Sequence, residues 1–357
     1  MGLFDKLRSR RESPLRPYVY PLSRTQERTY PPGYEGDLFI WDIDETYLKT
    51  DSDTVRGLLS VPLEMAVDKR NVAGTGALLR GLRRGVSQGK ALRSNPLYFV
   101  SASPPQLRRV IERKMVLDGV EYDGITFKDQ ISLVLSGRIG QVKNHIAYKL
   151  SALLLNRREL PWGVRECAFG DDTETDALIY ALYGDIIAGR LRGRALAATL
   201  RCNMVLEEDA SYVARLASTL RHADLVDTIY IHLKRHTPPQ RFQDFGPCVV
   251  PCYDTFQMAL HLFERQRVDL AHLIEVGKEV VRDQHQGTTG LLRSAIDLHQ
   301  RGEVKTETLA QVWGALASAS LVPEIMAINH DAANPSTRAH DPTAFITPTR
   351  LLHLGEG

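Results

Sequence analysis

Asp42 and Asp44 stand two residues apart at the end of the apolar run Leu38-Phe39-Ile40-Trp41, and Glu45 and Thr46 follow them. Two carboxylates held that close resist ionising together. A divalent cation relieves the repulsion, and Mg²⁺ takes oxygen ligands, with one or two carboxylates from a protein commonly sufficing. The pattern points to a metal-dependent site at the carboxyl end of a buried strand, where open α/β sheets place their ligands. Three more polar groups lie downstream. Ser101 and Ser103 follow Leu97-Tyr98-Phe99-Val100, Lys149 sits early in His145-Ile-Ala-Tyr-Lys-Leu150, and Asp171, Asp172 and Asp176 follow Ala168-Phe169-Gly170. Phosphoryl transfer needs such a set. One carboxylate attacks phosphorus, splitting a hard hydrolysis into two easier steps. A second acid protonates the leaving oxygen and later takes a proton from water. A metal and a cation offset the phosphate charge, and a hydroxyl holds a nonbridging oxygen.

Such groups converge only if the elements carrying them are parallel strands ending on one edge. Strand-like runs cover Asp37–Ile43, Pro96–Val100, Gly124–Phe127 and Arg165–Phe169, with a later one at Asp227–Leu233. Helical periodicity covers roughly 72–84, 104–117 and 143–158 between them. Pro104 and Pro105 suit the first turn of a helix. The alternation predicts an α/β fold with a doubly wound parallel sheet. The expected organisation is a flexible basic segment over 1–36, a catalytic core over 37–187 with its final strand in 226–235, and a helical insertion over 188–225. A helical region over 236–330 and a loose Pro-, Ser- and Thr-rich tail over 331–357 complete it.

The chain of 357 residues is 43% hydrophobic and 25% charged, an ordinary globular composition with room for a large core. A formal net charge of +2 does not call for nucleic acid. Arg80, Arg83 and Arg84, like Arg108 and Arg109, read as solvated helix faces. No apolar run is long enough to span a membrane. Met1 to Arg11 has no apolar core of a leader peptide, so the expected location is cytoplasmic. Leu3, Phe4 and Leu7 beside Arg8, Arg10 and Arg11 leave peripheral membrane contact open. Cys167, Cys202, Cys248 and Cys252 lack zinc-site spacing, and Cys248 and Cys252 are expected to be buried thiols. Gly85-Val-Ser-Gln-Gly89 matches a hydrolase elbow in letters, but a helix precedes it and a strand follows, the reverse of what the elbow needs.

The order Asp42-Ile-Asp44-Glu-Thr46, then Tyr98-Phe-Val-Ser101-Ala-Ser-Pro-Pro, then Lys149, then Gly170-Asp-Asp-Thr-Glu-Thr-Asp176 resembles the haloacid dehalogenase superfamily of phosphohydrolases. Within it the chain looks most like the catalytic domain of actin-patch-associated phosphatidate phosphatases and, more distantly, the lipins. The resemblance covers about 37–187 and 226–235. It implies Mg²⁺ as cofactor, Asp42 as nucleophile and metal ligand, and Asp44 as general acid/base with its backbone carbonyl on the metal. It also implies Ser101 as the phosphate-binding hydroxyl, Lys149 as the neutralising cation, Asp171 as a metal ligand, and Asp176 as the partner of a metal-bound water. The chain departs from the family at Glu45 and Tyr47. Asp172 stands where the phosphatidate enzymes have Ser, which makes it a further metal candidate. Lys143 is an alternative to Lys149.

Only 21 residues separate Phe127 from Lys149, too few for a large cap over the site. A short flap is expected at Thr50–Val61. By fold-level analogy an uncapped edge suits bulky phosphomonoesters, lipids among them. The alternative from another class is a regulatory or scaffold protein with a vestigial phosphatase core and a partner-binding helical C-terminal half.

Overall fold

The structure is a computed structural model that describes residues 18–49, 69–86, 94–135, 144–283 and 287–322. The Leu3–Leu7 turn, the Thr50–Val61 flap, Ser87, Lys143 and the tail from 331 lie outside the described residues.

Among the described residues seven strands form one sheet: β1 (Leu22–Gln26), β2 (Asp37–Asp42), β3 (Leu97–Ser101), β4 (Gly124–Lys128), β5 (Arg165–Asp171), β6 (Val226–His232) and β7 (Val249–Cys252). Their order is β1-β4-β3-β2-β5-β6-β7. β1 runs antiparallel to β4 and every other pairing is parallel. From β2 the chain moves outward to β3 and β4, then returns to place β5 on the opposite side. The carboxyl ends of β2 and β5 therefore flank the point where the winding reverses, which opens a crevice in such sheets.

The strands are apolar on both faces, as a covered parallel sheet requires. Leu38, Ile40, Tyr98, Val100, Ala168, Ile229 and Ile231 face one layer. That layer contains α4 (Ile146–Glu159), α5 (Asp176–Ile187), α6 (Gly193–Cys202) and α7 (Glu207–Ala217), with the short α3 (Gln130–Leu135) at its edge. Phe39, Trp41, Phe99, Phe169 and Tyr230 face the other. There lie α1 (Thr75–Arg84), α2 (Arg108–Leu117), α8 (Thr255–Glu264), α9 (Leu270–Asp283), α10 (Gly287–Gln300) and α11 (Thr306–Ser318). Trp41 stacks on Phe169 at 4.1 Å and Phe169 on Tyr230 at 4.8 Å, across β2, β5 and β6. Each buried aromatic contributes about 1.5–3 kcal/mol. Because a slip of one residue would turn the ladder to the wrong face, it also holds the register. Asp42, one residue past Trp41, is thereby brought level with Gly170.

The structure departs from the expected organisation in three places. Residues 22–26 of the supposed flexible segment are an edge strand, paired from Leu22 with Lys128 to Gln26 with Gly124. Leu-Ser-Arg-Thr-Gln shows no apolar alternation because it is only partly covered. Arg24 anchors it to Asn156 at 2.8 Å and to Glu159. The strand at 226–232 is not the last, since β7 adds beyond it. Pro251 disguised β7, and an outermost strand is where Pro is tolerated. Finally, the C-terminal helices are the second layer of the same sheet. Arg80 of α1 pairs with Glu279 of α9 at 2.7 Å, and Ala77 donates its N–H to the same carboxylate. Cys252 is buried as expected and Cys248 only partly so. Among the described residues no helix is long and apolar enough to cross a membrane.

Candidate active site

Parallel pairing sets the ends of β2, β3 and β5 on one edge, and there Asp42, Ser101 and Asp171 lie. Asp42, Asp171 and Asp176 each offer a carboxylate oxygen, and these oxygens lie within 4.8 Å of one another. None of the three side chains is more than 2% exposed. Asp176 opens α5, where the helix dipole favours an acid. Its carboxylate folds back over β5, and Gly170 allows this. A Cβ at Gly170 would come within 2.6 Å of the Asp176 Cβ.

Lys149 lies in the first turn of α4 and is wholly buried. Tyr148 helps place it, its hydroxyl reaching the carbonyls of Ser101 and of Thr126, the latter at 2.9 Å. The Lys149 ammonium lies 2.8 Å from Asp42 Oδ1 and 3.3 Å from Glu174 Oε2, and it contacts Asp176 directly. Burial pulls its pKa down, but Asp176, Asp42 and Glu174 outweigh burial and hold it above the ordinary lysine value. Burial pushes the Asp42 carboxyl well up, with Lys149 opposing. Burial raises Asp171 against the hydrogen bonds from Thr173. It raises Asp176 to about 7, again with Lys149 opposing. Three buried carboxyl groups share one ammonium, and Asp42 Oδ1 has no well-directed hydrogen bond despite the nearby ammonium. Such an all-oxygen set could hold a hard divalent cation.

Asp44 is half-buried and its carboxylate stands outside that trio. Ser101 Oγ donates to it at 3.0 Å and Ser103 Oγ at 3.0 and 3.1 Å. Burial raises its pKa, and the Ser103 and Ser101 hydrogen bonds work against the rise. Neither serine caps a helix. The turn Pro105–Leu107 and α2 both start without a side-chain cap; both hydroxyls donate to Asp44, and Ser101 Oγ accepts the Ser103 N–H at 3.0 Å. Thr46 Oγ1 donates to Asp171 Oδ2 at 3.3 Å, tying the β2 loop to β5.

Asp172 does not join the trio. Its N–H extends the ladder to His232 O at 3.0 Å, so its side chain points away from that of Asp171. Its oxygens accept the N–H of Arg235 at 2.8 Å and of Thr237 at 3.3 Å, which braces the loop after β6. Glu45 adopts φ 60°, a left-handed conformation that is strained for a side-chain-bearing residue and costs roughly 1–3 kcal/mol. Its carboxylate contacts Lys234 and its carbonyl accepts from His232 Nδ1 at 3.3 Å.

Glu174, Ser103 as a partner of Asp44, and Lys128 were not singled out from the sequence. Glu174 lies inside the Gly170–Asp176 segment, where spacing alone does not show that a third acid reaches Lys149. It also stands 3.8 Å from His145 Nδ1. Lys128 ends β4, one residue beyond the partner of Ser101, and its buried ammonium donates to Asn144 O at 2.7 Å. Burial lowers it to about 8. Comparisons of the chain with protein-family models, with curated proteins and with solved structures find no match.

Proposed function

We propose that the chain is a Mg²⁺-dependent phosphohydrolase of the haloacid dehalogenase type that cleaves a phosphate monoester through an aspartyl-phosphate. The observation that carries this reading is the convergence of Asp42, Lys149, Asp171 and Asp176, far apart in sequence, in one buried cluster beside Asp44. An Asp42 oxygen bonds to phosphorus as the bond to the leaving oxygen breaks, and Asp44 gives that oxygen its proton. Asp44, now a carboxylate, takes a proton from water. The water oxygen bonds to phosphorus, the bond to Asp42 breaks, and phosphate leaves. Burial shifts the Asp44 carboxyl toward the protonated form that the first step uses, with the Ser103 and Ser101 hydrogen bonds opposing the shift. Lys149 holds its charge throughout and offsets that of the phosphoryl group. Ser101, expected to hold a phosphate oxygen, is here assigned with Ser103 to orienting Asp44. Mg²⁺ on Asp42, Asp171 and Asp176 would supply the remaining positive charge.

Purified protein should hydrolyse p-nitrophenyl phosphate with Mg²⁺ and stop when EDTA is added. Beryllofluoride, which mimics aspartyl-phosphate, should raise the melting temperature further in the presence of Mg²⁺ through linkage. Failure of both would leave a vestigial core. Asp44→Asn should slow the leaving-group and water steps together, by roughly 10²–10⁴ in kcat. Full activity in that variant would remove Asp44 from the mechanism. The resemblance implies phosphatidate-like lipids as substrates, and a screen of phosphorylated metabolites and lipids tests it.

The pH response of the metal effect has a definite sign. Asp176 in the folded chain holds its proton up to about 7, whereas the unfolded chain releases it near 3.8. The folded state therefore binds more protons across that window, and its metal-free stability falls as pH rises through it. A cation replaces those protons. The gain in melting temperature from Mg²⁺ should be larger at pH 8 than at pH 5.5, as scanning calorimetry can show. An equal gain at both would place the cation elsewhere.

A further inference from the structure

We infer that Glu174 is a resident stand-in for the substrate's phosphoryl group, holding Lys149 while the site is empty and moving to His145 when a phosphoryl oxygen takes its place. The inference rests on the phosphohydrolase reading and deepens it. An ammonium has three N–H donors. Three carboxylates surround that of Lys149: Asp176 in direct contact, Asp42 Oδ1 at 2.8 Å and Glu174 Oε2 at 3.3 Å. A phosphoryl oxygen gains a donor there only if one of the three gives way. Asp42 stays, because its oxygen must face phosphorus. Asp176 stays, because it is wholly buried against Gly170 and grouped with Asp42 and Asp171. Glu174 differs on each count. It makes the longest of the three contacts, its side chain is 31% exposed, and it stands outside that trio. It lies in the turn 172–175 between β5 and α5, so its side chain can swing without moving either element.

A second partner stands ready for the displaced carboxylate. His145 precedes α4, and its Nδ1 lies 3.8 Å from Glu174 Oε2, beyond hydrogen-bond reach. That nitrogen is buried and has no hydrogen-bond partner. A shift of roughly 1 Å by the carboxylate would give Nδ1–H an acceptor and free a donor of Lys149. Lys128 adds positive charge beside His145, its ammonium donating to the Asn144 carbonyl at 2.7 Å. The exchange therefore leaves neither the carboxylate nor the ammonium unpaired. It lowers the affinity for any phosphoryl ligand, because the site is competent only in the fraction of molecules in which Glu174 has left Lys149. It also favours departure of the product, inorganic phosphate, since the returning carboxylate takes over the donor that phosphate gives up.

Competitive inhibition of p-nitrophenyl phosphate hydrolysis by inorganic phosphate, with Mg²⁺ present, tests the exchange. Glu174→Gln should lower the inhibition constant at least about threefold, because the competing carboxylate is gone and the competent fraction rises. Glu174→Ala should lower it as well. His145→Ala should raise it, since the carboxylate then lacks its alternative partner and stays on Lys149. In Glu174→Ala/His145→Ala the effect of His145 should vanish, leaving the constant of Glu174→Ala, because both residues act through one exchange. A residue that merely supports Lys149 behaves oppositely. Its loss would raise the inhibition constant or leave it unchanged, and either result overturns the inference. A His145 effect that persists at full size without Glu174 also overturns it. Hydrolysis by the unsubstituted chain with no fall in the constant for Glu174→Gln and Glu174→Ala strikes this inference alone. No hydrolysis by the unsubstituted chain overturns the phosphohydrolase reading and the inference with it.

Discussion

Asp42→Asn should abolish hydrolysis of p-nitrophenyl phosphate if the proposed function holds, with kcat falling by at least about 10³, while the protein should melt no lower than the unsubstituted chain. The activity term follows from chemistry, because an amide oxygen does not form the covalent intermediate and the remaining groups act only together with it. The stability term follows from the site. Burial first, then the charges of Asp176, Glu174 and Asp44, push the Asp42 pKa up against the pull of Lys149, so an uncharged isostere should cost the metal-free fold little. Asn keeps the shape and removes one of the repelling charges. Lys149 retains Asp176 and Glu174 as counter-ions. Steady-state kinetics and a thermal melt measure the two arms. Full activity defeats the nucleophile assignment. Lost activity with a collapsed melting temperature would instead mark Asp42 as a structural partner of Lys149.

Lys149→Met should have the opposite stability signature. Removing the ammonium leaves Asp42 and Asp176 buried without their cation, and deleting one partner of a buried ion cluster costs roughly 3–5 kcal/mol. Met matches the length of the stem, so packing in α4 is kept. The acids can escape part of the loss by binding protons, which raises their folded pKa values further. Stability is then present at low pH and lost as pH rises, so the loss in melting temperature should be greater at pH 8 than at pH 5. Mg²⁺ should restore part of it, because it supplies positive charge to the same oxygens. Hydrolysis should be lost at every pH. An unchanged melting temperature at pH 8 without Mg²⁺ would show that Lys149 does not neutralise the cluster.

Much of this site was legible before folding, and the reason is local. A buried parallel strand reads as an apolar run, so Leu38–Trp41, Leu97–Val100 and Ala168–Gly170 announce themselves, and the polar residues following them stand at strand ends by necessity. Strand limits agreed within about two residues of the observed β2 to β6. β1 and β7 were missed for the complementary reason. Edge strands are short and half-covered, and they carry polar residues or Pro without penalty. The C-terminal helices were recognised as helices, yet nothing in their periodicity told which surface they cover. Ala77, Arg80 and Glu279 settle that through contacts spanning 202 and 199 residues.

Side-chain roles divide along the same line. The sequence by itself determined which residues end strands at the carboxyl edge, and hence that Asp42, Ser101 and Asp171 share it, because strand polarity and period follow from local pattern. Tertiary structure alone decided that Asp176 rather than Asp172 joins Asp42 and Asp171, that Ser101 and Ser103 both turn to Asp44, and that Glu45 reaches Lys234. Those outcomes depend on side-chain direction and on close approach, such as Asp176 folding over Gly170. Electrostatic neutrality in a buried site is a property of the whole cluster, and no stretch of chain carries it alone.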